Sequence, residues 1–285
     1  MIDLTVRPRG PYSLAFSGAG SSDATRVFRD GVLSSLLRVE GRLELTRAWQ
    51  LPDGSVRLAG PSEAGLERLR FLLALDDDHS EFLRRFHDDP LLGRSVREFR
   101  GLRPLRVATV AQSLLRALCG QLIESRRAWH LERRIVRATT EGSEGLHAAP
   151  TAADFASVGP ADLRRLGLHA RRGATLVRIC SSLDLERLRD LSTDAVAARL
   201  ARERGLGPWS VGLICMEGLG RWELGMVGDL GLIKLASDLR GRRAEAEDTA
   251  ELLAPYGEWA GLAGLYLLKG YGRGLVPLPA RTRAA

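Results

Sequence analysis

One stretch decides the fold: residues 200–210 read LARERGLGPWS. Gly205-Leu206-Gly207 permits a tight turn, because glycine adopts backbone angles that other residues avoid. Pro208 is favoured at the first position of a helix, so a new helix is expected to begin there. The sequence therefore predicts two helices joined by a glycine–hydrophobic–glycine turn, over about residues 193–217.

A turn of this kind is suited to binding a phosphate group. Its glycines let the backbone approach closely, and the second helix presents unpaired N–H groups and the positive end of its dipole. Ser210 adds a hydroxyl group at the same place. Such binding does not depend on base sequence. An ordinary helical corner, in which glycine only ends the first helix, is the alternative interpretation of residues 205–207.

One aspartate beyond the turn is a candidate functional residue. Asp229 lies twenty residues beyond Trp209, in the segment Val227–Lys234. Taken alone, Asp229 is best interpreted as the N-cap of a further helix. A helix N-terminus also keeps a carboxylate ionised, so a cap and a catalytic group are compatible roles for one residue.

The chain has 285 residues and a formal net charge of +7, which is unevenly distributed. Residues 1–95 contain 13 Arg and 14 Asp or Glu, so the remaining 29 basic and 21 acidic residues give residues 96–285 a net charge of +8. This asymmetry favours nucleic acid as the partner. A membrane surface is disfavoured, because no basic amphipathic helix of the required kind is found.

The first 60 residues have strand character. Ile2, Leu4 and Val6 alternate with polar neighbours, and Asp30-Gly31 and Asp53-Gly54 are typical hairpin turns. Hydrophobic residues recur at helical spacing from about residue 62, and the chain beyond about residue 100 is predicted to be helical throughout.

These patterns predict an α+β protein. An N-terminal α/β domain with an antiparallel sheet is expected over residues 1–95, and an all-α domain over residues 96–276. Residues 277–285 are expected to form a flexible tail.

Several classes of protein are excluded by simple features. The N-terminus lacks the apolar core of a signal peptide, and no uncharged apolar run reaches the roughly 18 residues of a membrane span. Three separated cysteines form no CxxC motif, and five scattered histidines match no metal spacing. We expect no metal site, histidines that are exposed or hydrogen-bonded, and a location in a reducing cytoplasm.

The hairpin and the aspartate together resemble the helix-hairpin-helix DNA glycosylase superfamily. Within it, the chain looks most like the bacterial 3-methyladenine DNA glycosylase II branch, and the resemblance covers nearly the whole chain. The strand-rich N-terminal region contributes to it. So do Arg116–Ile123, similar to a helix that ends at the DNA minor groove, and Trp259–Ala263, similar to a helix that walls the base pocket.

The resemblance implies a role for each matching residue. Asp229 would stabilise the oxocarbenium-like transition state and orient water. Trp209 and Trp259 are the first candidates for the pocket that holds the flipped base. Trp222 and Tyr266 are further candidates, for which packing in the core is the alternative. Leu213 stands where some relatives place an aromatic residue, which leaves the substrate range open.

The resemblance also implies a wedge that fills the space left by a flipped base. Leu122 matches that position, with Gln121 beside it. The alternative is that Leu122 is part of the core, like the leucines before it.

Lysine is scarce, and this bears on the chemistry. Relatives with strand-cleaving activity carry a hairpin lysine whose amine attacks the sugar, whereas this chain has Trp209 there. The only lysines are Lys234 and Lys269, and Lys234 is expected to point away from Asp229. A monofunctional enzyme is therefore implied, in which water is the nucleophile and an abasic site is the product.

The leading hypothesis is a monofunctional DNA glycosylase that excises alkylated purines, such as 3-methyladenine and 7-methylguanine, in base excision repair. We expect a nucleoid-associated monomer acting on damaged double-stranded DNA, without an organic cofactor; a monovalent cation at the hairpin is left open. The alternatives are a glycosylase for oxidised bases or hypoxanthine, and a non-catalytic DNA-binding protein. Asp229 argues against the last, since a carboxylate repels phosphate.

Overall fold

The computed structural model describes residues 1–279, so the predicted tail falls outside the described residues from position 280 onward. The strands are β1 (Ile2–Val6), β2 (Arg26–Arg29), β3 (Val32–Val39), β4 (Arg42–Gln50), β5 (Val56–Gly60), β6 (Gly142–Ser143) and β7 (Leu146–His147). The first helices are α1 (Leu14–Gly18), α2 (Glu63–Leu72), α3 (Ser80–Arg85), α4 (Gly93–Glu98), α5 (Val110–Gly120), α6 (Ser125–Thr139) and α7 (Ala152–Ala156). The later helices are α8 (Pro160–Arg165), α9 (Ala170–Ser182), α10 (Thr193–Ala201), α11 (Pro208–Leu213), α12 (Leu230–Arg240), α13 (Ala246–Leu253) and α14 (Ala260–Gly272).

The first five strands form one antiparallel sheet in the order β1-β5-β4-β3-β2. Asp30 and Gly31, between β2 and β3, both have positive φ, as a two-residue type I′ hairpin turn requires. Helix α2 packs across β3, β4 and β5 and buries Leu66 and Leu69 against the sheet. The predicted α+β fold class is confirmed.

The boundary between the two parts lies earlier than residue 95. Helices α3 and α4 bury Phe82 and Val96 in the same core as Leu232 and Tyr266 of the C-terminal helices. The sheet domain's own core ends at about Leu75, apart from Leu105. The charge and strand patterns placed the boundary too late, because two helices near the junction bury their apolar faces on the C-terminal side.

The helical part contains one small exception to its predicted all-α character. Strands β6 and β7 form a short antiparallel hairpin, and His147 N donates a hydrogen bond to Ala24 O beside the sheet. Four residues are too few to produce a recognisable alternation of polar and apolar side chains. This hairpin ties the helical part to the N-terminal domain.

Helix α5 is the buried axis of the helical part, with Leu114, Leu115 and Leu118 fully buried. It ends at Gly120, three residues before the predicted end at Ile123, and Leu122 beyond it has a left-handed backbone with φ +57°. This early ending projects the next residues out of the core.

Cys119, Cys180 and Cys215 are free and buried. His79 departs from expectation: it is 1 % exposed and neither ring nitrogen has a hydrogen-bond partner within residues 1–279. It packs edge-on against Trp222 in the core. No helix in the described range combines the length and apolar character that a bilayer crossing requires.

Candidate active site

The predicted hairpin is formed by α10, a turn that ends at Gly207, and α11. Helix α11 continues into a π-helical turn over Ile214–Leu219. Gly205 has φ +99°, which glycine adopts without strain. A Cβ on Gly205 would lie 2.8 Å from Thr175 Oγ1, whereas one on Gly207 would meet nothing within 4 Å. The backbone at Gly207 is therefore open to close approach from outside.

Two of the predicted hairpin contacts face inward. Leu206 is 8 % exposed and belongs to the helical core, so it anchors the turn. Ser210 is 1 % exposed, and its Oγ accepts a hydrogen bond from Gln121 Nε2 at 3.1 Å. The prediction that Ser210 offers its hydroxyl to a phosphate is wrong, because the third residue of α11 faces the end of α5.

Gln121 joins the end of α5 to the hairpin. Its Nε2 also donates to Gly205 O at 2.8 Å, so the amide bridges the turn and the first turn of α11. Leu122 follows directly and is 83 % exposed. A left-handed backbone costs a non-glycine residue about 1–2 kcal/mol. The core alternative for Leu122 is wrong, and a strained backbone displays an apolar side chain in solvent.

Asp229 and Trp209 are in direct contact. Asp229 is the N-cap of α12, and its Oδ1 accepts hydrogen bonds from Gly231 N at 2.8 Å and Leu232 N at 3.2 Å. Its Oδ2 accepts a hydrogen bond from Trp209 Nε1 at 3.0 Å. The indole lies against Gly120, where a Cβ would be 2.6 Å from Trp209 Cη2. The carboxylate is thus oriented by backbone on one side and by the indole on the other.

A cavity of about 720 Å³ opens around this pair. It is lined by these predicted site residues: Gln121, Leu122, Gly207, Trp209, Ser210, Leu213 and Asp229. Lys234 also lines it, with Nζ 5.9 Å from the centre of the Tyr271 ring. Lys234 thus shares a cavity with Asp229, although helical spacing predicted that it points away from the aspartate. Asp229 precedes the helix as its cap, so helical spacing does not govern their relative directions.

Trp222, Trp259 and Tyr266 do not line this cavity. Tyr266 is fully buried, and its hydroxyl lies within hydrogen-bond distance of Phe99 O and Leu102 O. Trp222 and Trp259 stack on each other at 6.2 Å between ring centres, in the core shared by α3 and α14. Their assignment to the base pocket is corrected: these rings fill space between the C-terminal helices.

The sequence reasoning missed Trp129. This residue of α6 is 51 % exposed and lines the 720 Å³ cavity, so it supplies a second aromatic side chain there. It also lines an adjoining cavity of about 230 Å³. A tryptophan between Arg126, Arg127 and Arg133 on a polar helix was the available signal, because an aromatic residue on a charged face has no core to fill.

The reasoning also missed a buried ionic cluster beside the cavity. Arg116 donates to Glu132 through Nε and Nη2, to Glu217 Oε2 at 2.5 Å and to Asp23 Oδ2 at 2.7 Å. Burial alone would raise the pKa of Asp23, but Arg26 and Arg116 outweigh it and lower the pKa to about 2. Burial raises the pKa of Glu132 in spite of Arg116. The cluster ties α5, α6, the hairpin and the N-terminal domain together.

Comparison with known proteins relates this geometry to DNA glycosylases. No protein-family model matches the chain. A Bacillus subtilis protein named DNA-3-methyladenine glycosylase is 26 % identical over 204 residues, which cover 68 % of this chain and 67 % of that protein.

Solved structures share the fold over almost the whole chain. The 3-methyladenine DNA glycosylase from Archaeoglobus fulgidus superposes with a TM-score of 0.81 at 21 % identity, covering 96 % of this chain and 99 % of that one. The Clostridium acetobutylicum 8-oxoguanine glycosylase/lyase, in complex with double-stranded DNA, gives 0.73 at 16 % identity, covering 96 % and 99 %. The fold and the hairpin–aspartate site define the helix-hairpin-helix DNA glycosylase architecture. The similarity to the Bacillus subtilis protein and to these solved structures supports the helix-hairpin-helix DNA glycosylase superfamily.

Proposed function

We propose that this chain is a monofunctional DNA glycosylase that excises alkylated purines, of the 3-methyladenine and 7-methylguanine type, from double-stranded DNA in base excision repair. One observation carries the proposal: Trp209 holds Asp229 by a hydrogen bond within a cavity beside the open hairpin turn. Trp209 stands at the position where strand-cleaving relatives place a lysine. The name of the Bacillus subtilis relative supports the alkylated substrate.

Binding begins at the DNA backbone. The open backbone at Gly207 and the N-terminus of α11 receive a phosphate, while Leu206 holds the turn in place from beneath. The excess positive charge of residues 96–285 attracts the rest of the duplex. These contacts carry no sequence information, which suits an enzyme that must search all DNA.

The damaged nucleotide then rotates out of the duplex into the cavity. Leu122 enters the vacated position, because it is exposed, apolar and next to the residue that ties α5 to the hairpin. The base lies against the faces of Trp209 and Trp129 and beside Leu213. An N3- or N7-alkylated purine is cationic, and aromatic faces attract such a ring by stacking and by cation–π interaction.

Hydrolysis needs little help at the leaving group. The cationic base departs with the electron pair of the N-glycosidic bond and becomes neutral, and positive charge develops on the sugar. Asp229 stabilises that charge, and water adds to C1′ and loses a proton. The hydrogen bond from Trp209 Nε1 fixes the direction of the carboxylate during this step. No cofactor is needed for this chemistry.

Two subsidiary proposals accompany this one. The enzyme acts as a monomer in the cytoplasm, associated with the nucleoid. A monovalent cation at the hairpin stays a prediction; the Gly205 carbonyl oxygen there already accepts a hydrogen bond from Gln121. Replacing potassium with lithium during the binding assay tests it.

The proposal is tested by offering several damaged duplexes. Duplexes containing 7-methylguanine, hypoxanthine or 8-oxoguanine, and methylated DNA containing 3-methyladenine, are incubated with the protein, and released bases are measured by chromatography. We expect release of the methylated bases, with strand cleavage only after alkali. Release of no base would refute the enzyme. If 8-oxoguanine is released fastest, the proposed preference for alkylated purines is refuted.

Strand cleavage is examined separately, because Lys234 lines the cavity. Treatment with borohydride traps any Schiff base between a lysine and the sugar. We expect no trapped complex. A trapped complex that disappears in Lys234→Arg would replace the monofunctional assignment with a glycosylase that also cleaves the strand.

A further inference from the structure

The cavity around Asp229 adjoins a second one. The 720 Å³ and 230 Å³ cavities share the lining residues Arg116, Trp129 and Glu217. The second cavity is further lined by residues 19–23, by Met216 and by Lys269 of α14. A base that enters beside Asp229 would therefore have its far edge next to a set of polar side chains.

Glu217 is the member of the ionic cluster that faces both cavities with an unused oxygen. Its Oε2 accepts a hydrogen bond from Arg116 Nη1, whereas no donor within residues 1–279 reaches Oε1. Its side chain is 21 % exposed, compared with 2 % for Glu132. An ionised carboxylate only accepts hydrogen bonds, so Oε1 is an acceptor available to a ligand.

Glu217 belongs to a cluster of charged side chains that pair with one another. Arg116 contacts the three carboxylates of Asp23, Glu132 and Glu217, and Arg26 lies 3.3 Å from Asp23. Glu217 is the carboxylate of this cluster that lines both cavities. Lys269, on the wall of the second cavity, is a donor-only group.

We propose that Glu217 is a specificity-determining residue that selects alkylated guanine, and that Lys269 assists it. The inference rests on the proposed function. The edge of guanine carries the O6 acceptor beside two donors, N1–H and N2–H₂, whereas adenine carries one donor amine and an acceptor. Glu217 accepts from the guanine donors and Lys269 donates to O6. 7-Methylguanine therefore satisfies both Glu217 and Lys269, whereas 3-methyladenine offers no O6 acceptor to Lys269.

The test compares bases that differ at this edge. Single-turnover release is measured for 7-methylguanine, 3-methyladenine and hypoxanthine, which keeps O6 and N1–H but lacks the N2 amine. We expect Glu217→Gln to slow 7-methylguanine release by roughly 10- to 100-fold, as for loss of hydrogen bonds to a charged group, and the other two bases less. Lys269→Met should slow 7-methylguanine and hypoxanthine but spare 3-methyladenine.

The controls separate selection from folding. Glu223→Gln removes a neighbouring exposed carboxylate and should leave all three rates unchanged. Thermal unfolding of each variant reports any damage to the Arg116 cluster. Equal slowing of all three bases, or no slowing by either variant, would overturn the role of Glu217 and Lys269. If the unmodified protein releases none of the bases, the proposed function itself has failed.

Discussion

Trp209 Nε1 donates a hydrogen bond to Asp229 Oδ2 across 3.0 Å. The two residues are twenty positions apart, one at the start of α11 and the other at the cap of α12. The indole N–H of Trp209 orients the carboxylate. This contact links the glycine turn before α11 to the N-terminus of α12.

Asp229→Asn should abolish catalysis and preserve the fold. Asparagine still caps α12, because its side-chain oxygen accepts from Gly231 N and Leu232 N, but it carries no charge to stabilise the sugar cation. We expect base release to fall by at least about 100-fold with little change in DNA affinity. Release rates and binding to a duplex with an uncleavable analogue check this. Asp190→Asn, an exposed matched change, should leave both unchanged; turnover retained in Asp229→Asn would remove that residue from its role.

Leu122→Gly should separate activity from stability. The side chain is 83 % exposed and its φ is +57°, so glycine loses no core packing and relieves a strained backbone. Stability should stay constant or rise by up to about 1 kcal/mol. Release from a fully paired duplex should slow, and release from a duplex with an abasic site opposite the lesion should slow less. Denaturant unfolding and release rates on both duplexes measure this, and an equal effect on the two duplexes would contradict the wedge.

Gly120→Ala should disturb the site through Trp209. The new Cβ would lie 2.6 Å from Cη2 of the indole, which must move and so loses its hydrogen bond to Asp229. We expect reduced release together with a shift in tryptophan fluorescence. Gly264→Ala is the matched control, since its Cβ would make ordinary contacts at 3.6 Å. Unchanged fluorescence and rate in Gly120→Ala would show that the indole tolerates displacement.

Gly207→Ala should weaken DNA binding without affecting the protein alone. A Cβ there meets no atom within 4 Å, and the φ of −101° is accessible to alanine. It would, however, stand where a phosphate approaches the turn. We expect an affinity loss of about tenfold at moderate salt and an unchanged unfolding midpoint. Gly272→Ala, which also meets nothing, is the control; equal affinities in the two variants would exclude the hairpin from the interface.

His79 should make stability depend on pH in the mildly acidic range. Burial, with Arg103 and Arg106 nearby, lowers its pKa from 6.5 to about 3. Below about pH 6.5 the imidazole of His79 binds a proton in the unfolded chain but not in the folded chain. The contribution of His79 to the free energy of unfolding is therefore fully present above that pH and is lost as the pH falls toward 3. The loss in the free energy of unfolding is on the order of 5 kcal/mol.

His79→Gln should flatten this dependence. The free energy of unfolding, measured in denaturant between pH 4 and pH 7, should show a smaller slope than in the unmodified protein. His130→Gln changes an exposed histidine and should keep the original slope. An identical slope in all three proteins would show that His79 is protonated in the folded state.

Local features were predictable because they depend on residues a few positions apart. The turn at Gly205 and Gly207, the cap at Asp229 and the hairpin at Asp30-Gly31 all follow from glycine conformation and capping chemistry within one or two turns of chain. The order of hairpin and aspartate was enough to indicate the superfamily. The helix end at Gly120 was misplaced, since the apolar pattern continued through Leu122 while the backbone had already turned.

Long-range features were beyond reach of the sequence. Trp222, Trp259 and Tyr266 look like pocket residues in a linear reading, and they pack in the core because α3 and α14 meet there. Trp129 shows the reverse: it was not predicted as a site residue, and its side chain lines both cavities.

The sequence by itself determined two helices joined by a glycine turn and followed by a capping aspartate, on a chain whose hairpin has no lysine. It did so because these properties depend on local backbone chemistry and residue type. Only the tertiary structure decided which side chains face the Asp229 cavity and how Arg116 is neutralised. The physical reason is that side-chain direction and charge pairing depend on contacts between elements far apart in the sequence, such as Arg116 with Glu217, which are 101 residues apart.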